Sequence, residues 1–182
     1  MKKSIQILIA ALLLVCSKAF TQTNANKQSK WGLETELIQP FLPEVGIFRI
    51  QATRKITPNA YLLVGAYIRP NVKHNIVEKI NENLFVVGYR QYFWKGLHVE
   101  AKSNIGYARG TKNKIDGKDY NNFSWFWEAN AGYKFNIKKK QFFTIYIIPQ
   151  FGVLSSISSD IGPRGGNSDT FLQGNLLVGI NF

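Results

Sequence analysis

The side chains most able to do chemistry in this sequence are acids and bases at every second position of extended segments. Glu100 and Lys102 are two residues apart, as are Glu34 and Glu36. Residues two apart in a β-strand point to the same face, so acids and bases of neighbouring strands are expected to meet and form ion pairs. The predicted charge network consists of Glu34, Glu36, Arg49, Arg69, Arg90, Glu100, Lys102, Glu128 and Lys134.

This charge network has two interpretations. It could be a plug of salt bridges that fills the interior of the fold. It could instead line a polar conduit or a proton-linked site for a small solute. If the segments close into a small ring of strands, side chains just fill its interior, which favours the plug.

Residues for nucleophilic catalysis are sparse. A serine nucleophile needs a histidine and an acid within hydrogen-bond reach, and the chain has two histidines, His74 and His98. Ser158, Ser159 and Asp160 share one predicted loop and could meet His74 at the same rim, but a solvated loop is the simpler interpretation. We therefore predict no catalytic residues and a protein that is not an enzyme.

No metal site and no cofactor are predicted either. The two histidines are not at ligand spacing, and Cys16 is the single cysteine, so a thiolate or paired-histidine metal centre has no ligands. Cys16 follows an apolar run, where a lipoprotein signal also places its cysteine. Val15 before it is bulkier than such signals prefer, and the lipidation of Cys16 stays open.

The N-terminus has the features of a secretory signal. Lys2 and Lys3 precede an apolar run over residues 5–15, and Ser17 and Ala19 are small residues at the −3 and −1 positions of a cleavage site. The predicted divisions of the chain are a signal peptide over 1–19, a short periplasmic segment over 20–30 and one domain over 31–182.

Alternation of apolar and polar residues dominates the chain from Trp31 to Phe182 and predicts an all-β fold. In the third and later strands the apolar face carries no ionisable residue, and most strands have the length of a tilted membrane-crossing strand. The eight predicted strands cover 31–39, 46–56, 60–69, 84–93, 97–107, 123–135, 141–153 and a last segment that ends at Phe182.

The connections between these strands alternate in length. Tight turns are predicted at 57–59, 94–96 and 136–140, whereas 70–83, 109–121 and 154–169 read as long polar loops. Short turns at one rim and long loops at the other are typical of outer-membrane barrels. The short apolar connection at 40–45 is the exception.

The motif Gly88-Tyr89-Arg90-Gln91-Tyr92-Phe93-Trp94-Lys95-Gly96-Leu97 and the terminal Phe182 carry a family resemblance. The chain resembles small eight-stranded outer-membrane β-barrel proteins of the OmpA/OmpX-like class, of the Bacteroidota type. The resemblance implies an antiparallel up-and-down transmembrane barrel over 31–182 in the cell outer membrane. It also implies that the barrel assembly machinery recognises Phe182.

The size of the apolar side chains distinguishes a membrane barrel from a soluble one. Phe123, Trp125 and Trp127 lie on one face of one strand, and with similar residues of other strands they would overfill an eight-stranded interior. Aromatic rings on the outside form girdles at the membrane interfaces. Glycines on the charged face, such as Gly88 and Gly179, would leave room for long charged side chains.

A net charge of +12 raises the question of an anionic partner. An exported protein meets lipid phosphate rather than nucleic acid, so outer-membrane lipid is the expected partner and nucleic acid is not. Arg109, Lys112, Lys114 and Lys118 are candidate contacts for lipopolysaccharide, although a solvated loop is the alternative.

The function predicted from the sequence is a structural or envelope-integrity role for a monomeric barrel that is not an enzyme. Binding or passage of a small solute through the lumen is the alternative. A lipid-modifying enzyme at the outer rim is a third.

Overall fold

The computed structural model describes residues 30–43, 45–140, 142–159 and 170–182. The predicted signal peptide over 1–19, with Cys16, lies outside the described residues. So does the predicted periplasmic segment, except for its last residue. The fold that follows therefore belongs to the predicted domain over 31–182.

Antiparallel strands make up nearly all of the described chain, as the alternating pattern predicts. A short 3₁₀ helix over Gln39–Phe41 follows the first strand. In the described part of the chain no helix has the length and apolarity needed to cross a bilayer. The strands are β1 Trp31–Glu36, β2 Phe48–Thr57, β3 Ala60–Val72, β4 Val77–Trp94, β5 Leu97–Asn113, β6 Tyr120–Tyr133, β7 Phe135–Lys139, β8 Thr144–Ser159 and β9 Thr170–Asn181.

These strands pair in chain order and close on themselves. β1 pairs with β9, with Leu33 opposite Ile180, and β6 pairs with β8, with Glu128 opposite Leu154. The result is an up-and-down ring. Its two ends are named here by their connections: the turn end carries the turns at 58–59 and 95–96 and the connection from β7 to β8, and the loop end carries the connections from β1 to β2, from β3 to β4 and from β5 to β6.

The described residues form nine strands where the sequence predicts eight, because the chain of the predicted strand over 123–135 continues to Lys139 and is interrupted at Lys134. Lys134 alone separates β6 from β7, and both strands pair with β8. Pro149 of β8 lies between the two sets of pairs. Proline has no backbone N–H to donate, so the ladder is interrupted beside it. Residues 136–139, predicted as a turn, are part of β7, and the turn lies after them.

The strands at the loop end are longer than predicted. Most of the predicted loop over 70–83 belongs to β3 and β4, and β5 continues to Asn113. Several residues of these extensions, such as Glu78 and Lys79, are polar and exposed, which gives the segment the composition of a loop. Val77 and Ile80 are buried, but they lie three residues apart with the two exposed residues between them, so strict alternation does not hold at the start of β4.

The two faces of the ring have opposite character. Large apolar side chains lie outside and exposed, including Trp31, Phe85, Val99 and Trp127. The inside holds three apolar clusters, one of which contains Tyr67, Leu84, Val86 and Phe126. The charged and polar side chains buried inside are more numerous than in an ordinary protein core, where a charge is rarely fully buried unless paired.

Candidate functional site: a charged network inside the ring

Lys102 joins two carboxylates at the centre of the interior. Its Nζ lies 2.8 Å from Glu100 Oε1 and 3.2 Å from Glu128 Oε2, and all three side chains are fully buried. The strand register explains the contact, because Lys102 of β5 is directly opposite Glu128 of β6. Glu100 and Lys102, two residues apart on β5, share the inward face.

Arg90 joins Glu100 to Glu34 of the first strand. Its guanidinium donates two hydrogen bonds to the Glu34 carboxylate, at 2.6 and 2.8 Å, and its Nε donates to Glu100 Oε2 at 2.6 Å. Glu34 also accepts a hydrogen bond from Tyr146 Oη at 2.8 Å and one from Gln51 Nε2 at 2.7 Å. Such a bidentate arginine–carboxylate pair fixes geometry as well as charge.

Arg49 completes the network at Glu128. Its Nη2 lies 2.6 Å from Glu128 Oε1, and its guanidinium lies 5.5 Å from the centre of the Tyr67 ring. The Glu128 carboxylate also accepts hydrogen bonds from Asn104 at 3.0 Å and from Gln173 at 3.2 Å. The path Glu34, Arg90, Glu100, Lys102, Glu128, Arg49 therefore alternates in sign, and its three acids and three bases sum to zero formal charge.

Small residues make room for the network. A Cβ added at Gly88 would lie 2.6 Å from Lys102 Cγ, and one added at Gly179 would lie 2.5 Å from Tyr146 Cζ. Both distances are below any ordinary contact between carbon atoms. Glycine at these two positions therefore lets Lys102 and Tyr146 pass close to the neighbouring strand on the way to their partners.

Three predicted members of the network lie outside this alternating path. Arg69 lies 3.5 Å from Glu82, nearer the loop end. Lys134 Nζ lies 3.5 Å from the centre of the Tyr146 ring. Glu36 accepts a hydrogen bond from the backbone N–H of Leu176 at 2.9 Å, which ties β1 to β9.

Several interior partners were missed by the sequence prediction. Gln51, Asn104, Tyr146 and Gln173 bind the carboxylates, yet they are uncharged and were not assigned to the network. Their positions in the sequence could have revealed them, because each falls on the same face of its strand as the inward polar residues. Glu82 was missed because it falls in the segment predicted as a loop.

A cavity of about 580 Å³ lies at the loop end, beyond the network. Its walls are mainly apolar and include Ile47, Phe126 and Leu154, and Arg69 and Glu82 supply charged groups. The size is that of an ordinary small-molecule pocket.

The four basic residues proposed for lipopolysaccharide lie exposed at the loop end. Arg109 lies 3.5 Å from Asp119, and Lys112 lies 3.6 Å from Glu78. Lys114 and Lys118 lie in the connection between β5 and β6.

The Asp116 carboxylate of this connection is held by hydrogen bonds. The Tyr120 hydroxyl, 2.6 Å from Asp116, and the backbone N–H of Lys118 donate to the Asp116 carboxylate and lower its pKa. The connection is thus ordered by its own contacts.

Phe182 lies at the turn end, directly after β9. Its backbone N–H donates to the Trp31 carbonyl at 2.9 Å, and its ring is 59% exposed. The terminal residue is therefore tied into the closing pair of strands while its ring stays on the surface.

The structure describes only some of the residues considered for catalysis. His98 is buried at the turn end, with Nδ1 3.0 Å from the Gly96 carbonyl oxygen and Nε2 3.1 Å from Gln150 Nε2. His74 lies at the loop end beside the cavity, whereas Asp160 and the Ser159 side chain lie outside the described residues. Within the described part of the chain, no group of three potential metal ligands is present.

The described residues thus define an all-β protein built as a closed antiparallel ring, apolar outside and charged inside. No protein-family model matches the sequence, and no curated protein matches it. Among solved structures, the chain is similar to the N-terminal β-barrel domain of Pseudomonas aeruginosa OprF, with 12% sequence identity and a TM-score of 0.48, over 85% of this chain and 98% of that chain.

Proposed function

We propose that the chain is a non-enzymatic outer-membrane β-barrel protein with a structural or envelope-integrity role, whose lumen is filled by the charged network. The inverted distribution of side chains carries the proposal. Glu34, Arg90, Glu100 and Lys102 are almost wholly buried, whereas rings such as Trp127 are exposed. In a membrane, this arrangement would turn apolar surface towards lipid and keep the charges away from it.

In this proposal the barrel has eight strand positions around its wall, here called staves, and β6 and β7 together fill one of them. The two strands are separated by Lys134 alone and pair with the same neighbour. The β1–β9 and β6–β8 pairs close the sheet, as a bilayer-spanning sheet requires, and β7, at the turn end, pairs with β8. An interior of eight staves is small enough for side chains to fill, which agrees with the ion pairs that cross it.

The turn end would face the periplasm and the loop end the exterior. The secretory signal predicted from the sequence supports export, and Phe182 at the turn end is the proposed signal for the barrel assembly machinery. Arg109, Lys112, Lys114 and Lys118 are the proposed contacts for lipopolysaccharide phosphates, because they lie exposed at the loop end. The proposed form is a monomer.

Cell fractionation and gel migration test the proposal. A closed membrane barrel should be recovered with the outer membrane, and it should migrate faster in dodecyl sulfate before boiling than after, because its strand hydrogen bonds are satisfied internally. Recovery of the protein in the soluble periplasmic fraction, with one mobility, would rule out the membrane barrel.

Binding of a small solute at the loop end is the second candidate function. The cavity of about 580 Å³ favours it, with apolar walls and with Arg69 and Glu82 as polar groups. Passage through the lumen would also require a path beyond the cavity, where the buried ion pairs lie. Planar-bilayer recording separates the two functions, because passage gives a current and binding in a closed cavity does not.

A further inference from the structure

The turn end of the ring carries a concentration of exposed positive charge. Among the described residues, six exposed cations lie at this end, and we call them the basic collar. The described acids nearest to this end, Glu34 and Glu100, are buried in the interior network. The collar consists of Lys30, Arg54, Lys95, Lys138, Lys139 and Lys140.

The opposite end has no such uniform charge. Exposed acids lie among the cations at the loop end, where Arg109 is 3.5 Å from Asp119 and Lys112 is 3.6 Å from Glu78. The strands also extend past the apolar surface at that end, and they carry polar residues such as Lys79 on the outside. The collar is therefore a property of one end, and the overall excess of basic residues does not account for it.

Contacts with exposed aromatic residues fix the depth of the collar. The Arg54 guanidinium lies 5.1 Å from the centre of the Trp31 ring, and Lys95 Nζ lies 4.7 Å from the centre of the Trp94 ring. Both tryptophans are exposed. Outward tryptophans of a membrane protein prefer the interface between hydrocarbon and water, so cations stacked on them lie at the level of the headgroups.

The lysines of the last turn have the same arrangement. Lys138, Lys139 and Lys140 lie between Ile137 and Phe142, whose side chains are 62% and 79% exposed. Apolar side chains directly beside exposed lysines suit a surface that touches both the hydrocarbon boundary and the headgroup phosphates.

We propose that the basic collar binds the headgroups of anionic phospholipids in the leaflet at the turn end. This inference rests on the proposed membrane barrel and adds a lipid class to it. A headgroup with net negative charge is attracted by the collar, whereas a zwitterionic headgroup brings its own cation and gains less. The attraction of several cations to an anionic surface adds up and falls with salt.

Spin-label spectroscopy of the inserted full chain tests this lipid preference. The protein is placed in phosphatidylcholine vesicles that contain a trace of spin-labelled phosphatidylglycerol or spin-labelled phosphatidylcholine. The motionally restricted fraction of each label then reports the lipids at the protein surface. We expect the phosphatidylglycerol label to be enriched about twofold at low salt and to approach parity at high salt.

Two matched double variants locate the effect on the molecule. Lys139→Gln with Lys140→Gln removes two charges from the collar, and Lys73→Gln with Lys79→Gln removes two exposed charges from the loop end. The enrichment should fall in the first variant and persist in the second. No enrichment in the parent protein, or an equal loss in both variants, would overturn the proposal.

Gel migration in the same vesicles separates this inference from the proposed function. A protein that shows the heat-dependent shift but no lipid preference is a membrane barrel without a lipid-selective collar. A protein that shows no shift, in vesicles with or without phosphatidylglycerol, contradicts the membrane barrel, and the collar proposal falls with it.

Discussion

The acids and bases of the interior path balance each other, so the loss of any one of them leaves a partner charge uncompensated. Lys102 is shared by Glu100 and Glu128, and Arg90 is shared by Glu34 and Glu100. In a buried pair, the partner left behind by a substitution stays in a poorly solvated place without compensation. The stability of the ring should therefore respond to the loss of one charge far more than a surface ion pair would predict.

Substitution of Glu128 tests whether the interior is dry. Glu128→Leu removes the carboxylate paired with Arg49 and one of the two carboxylates paired with Lys102. We expect the free energy of unfolding to fall by about 3–5 kcal/mol. Urea unfolding of the refolded protein measures it. In a water-filled lumen solvent would screen both cations, and the loss would be below about 1 kcal/mol.

Glu78→Leu is the control for this experiment. Glu78 lies 3.6 Å from Lys112, and both side chains are more than half exposed. Because an exposed ion pair contributes about 0–1 kcal/mol, this variant should unfold near the parent midpoint. Equal losses in the two variants would contradict a dry, charge-balanced interior.

Gly179 provides a test of whether the network needs a small residue beside Tyr146. In Gly179→Ala the new Cβ would lie 2.5 Å from Tyr146 Cζ, so the tyrosine must move away from Glu34. Overpacking of this kind costs about 1–3 kcal/mol, and chemical denaturation can measure it. Gly174→Ala is the matched control, since a Cβ there would meet nothing within 4 Å; a loss in the control as large as in the variant would refute the argument.

Strand β9 runs between the two ends of the molecule and has an exposed phenylalanine near each end. Phe171 near its start and Phe182 directly after its end have similar exposed fractions, 55% and 59%. Burial therefore cannot make one of them more important than the other for stability. A difference between them in assembly would come from recognition during insertion.

We expect Phe182→Ser to reduce the amount of protein inserted into the outer membrane several-fold and Phe171→Ser to leave it near the parent level. The physical reason is that the Phe182 ring is exposed at the turn end and open to recognition, whereas its backbone hydrogen bonds to Trp31 do not depend on the side chain. Heat-modifiable protein in outer-membrane fractions is the quantity to compare. Equal insertion of the two variants would count against Phe182 as the assembly signal.

For the molecule as a whole, the filled interior predicts that the ring does not conduct ions. Buried ion pairs cross it from Glu34 on β1 to Glu128 on β6, and a barrel of the proposed eight staves has little space beyond its side chains. Planar-bilayer recordings of the parent protein should therefore show no steady current. A sustained ion-selective current would favour solute passage through the lumen.

Local alternation in the sequence was sufficient to predict the all-β class and the two faces of each strand. It placed Glu100, Lys102 and Glu128 on the charged face and Trp125 and Trp127 on the apolar one, because side-chain direction in a strand depends only on the count along the chain. It could not place the strand ends at the loop end, where exposed polar residues such as Glu78 resemble those of a loop and interrupt the alternation.

Only the tertiary structure decided which acid meets which base. Arg49 reaches Glu128 from 79 residues away, and Arg90 reaches Glu34 from 56 residues away. These pairs cross the interior, so they depend on how the ring closes and on the stagger of its strands, which no local pattern encodes. The same holds for Pro149, whose missing N–H divides β6 from β7 only because the closed ring places it beside their junction.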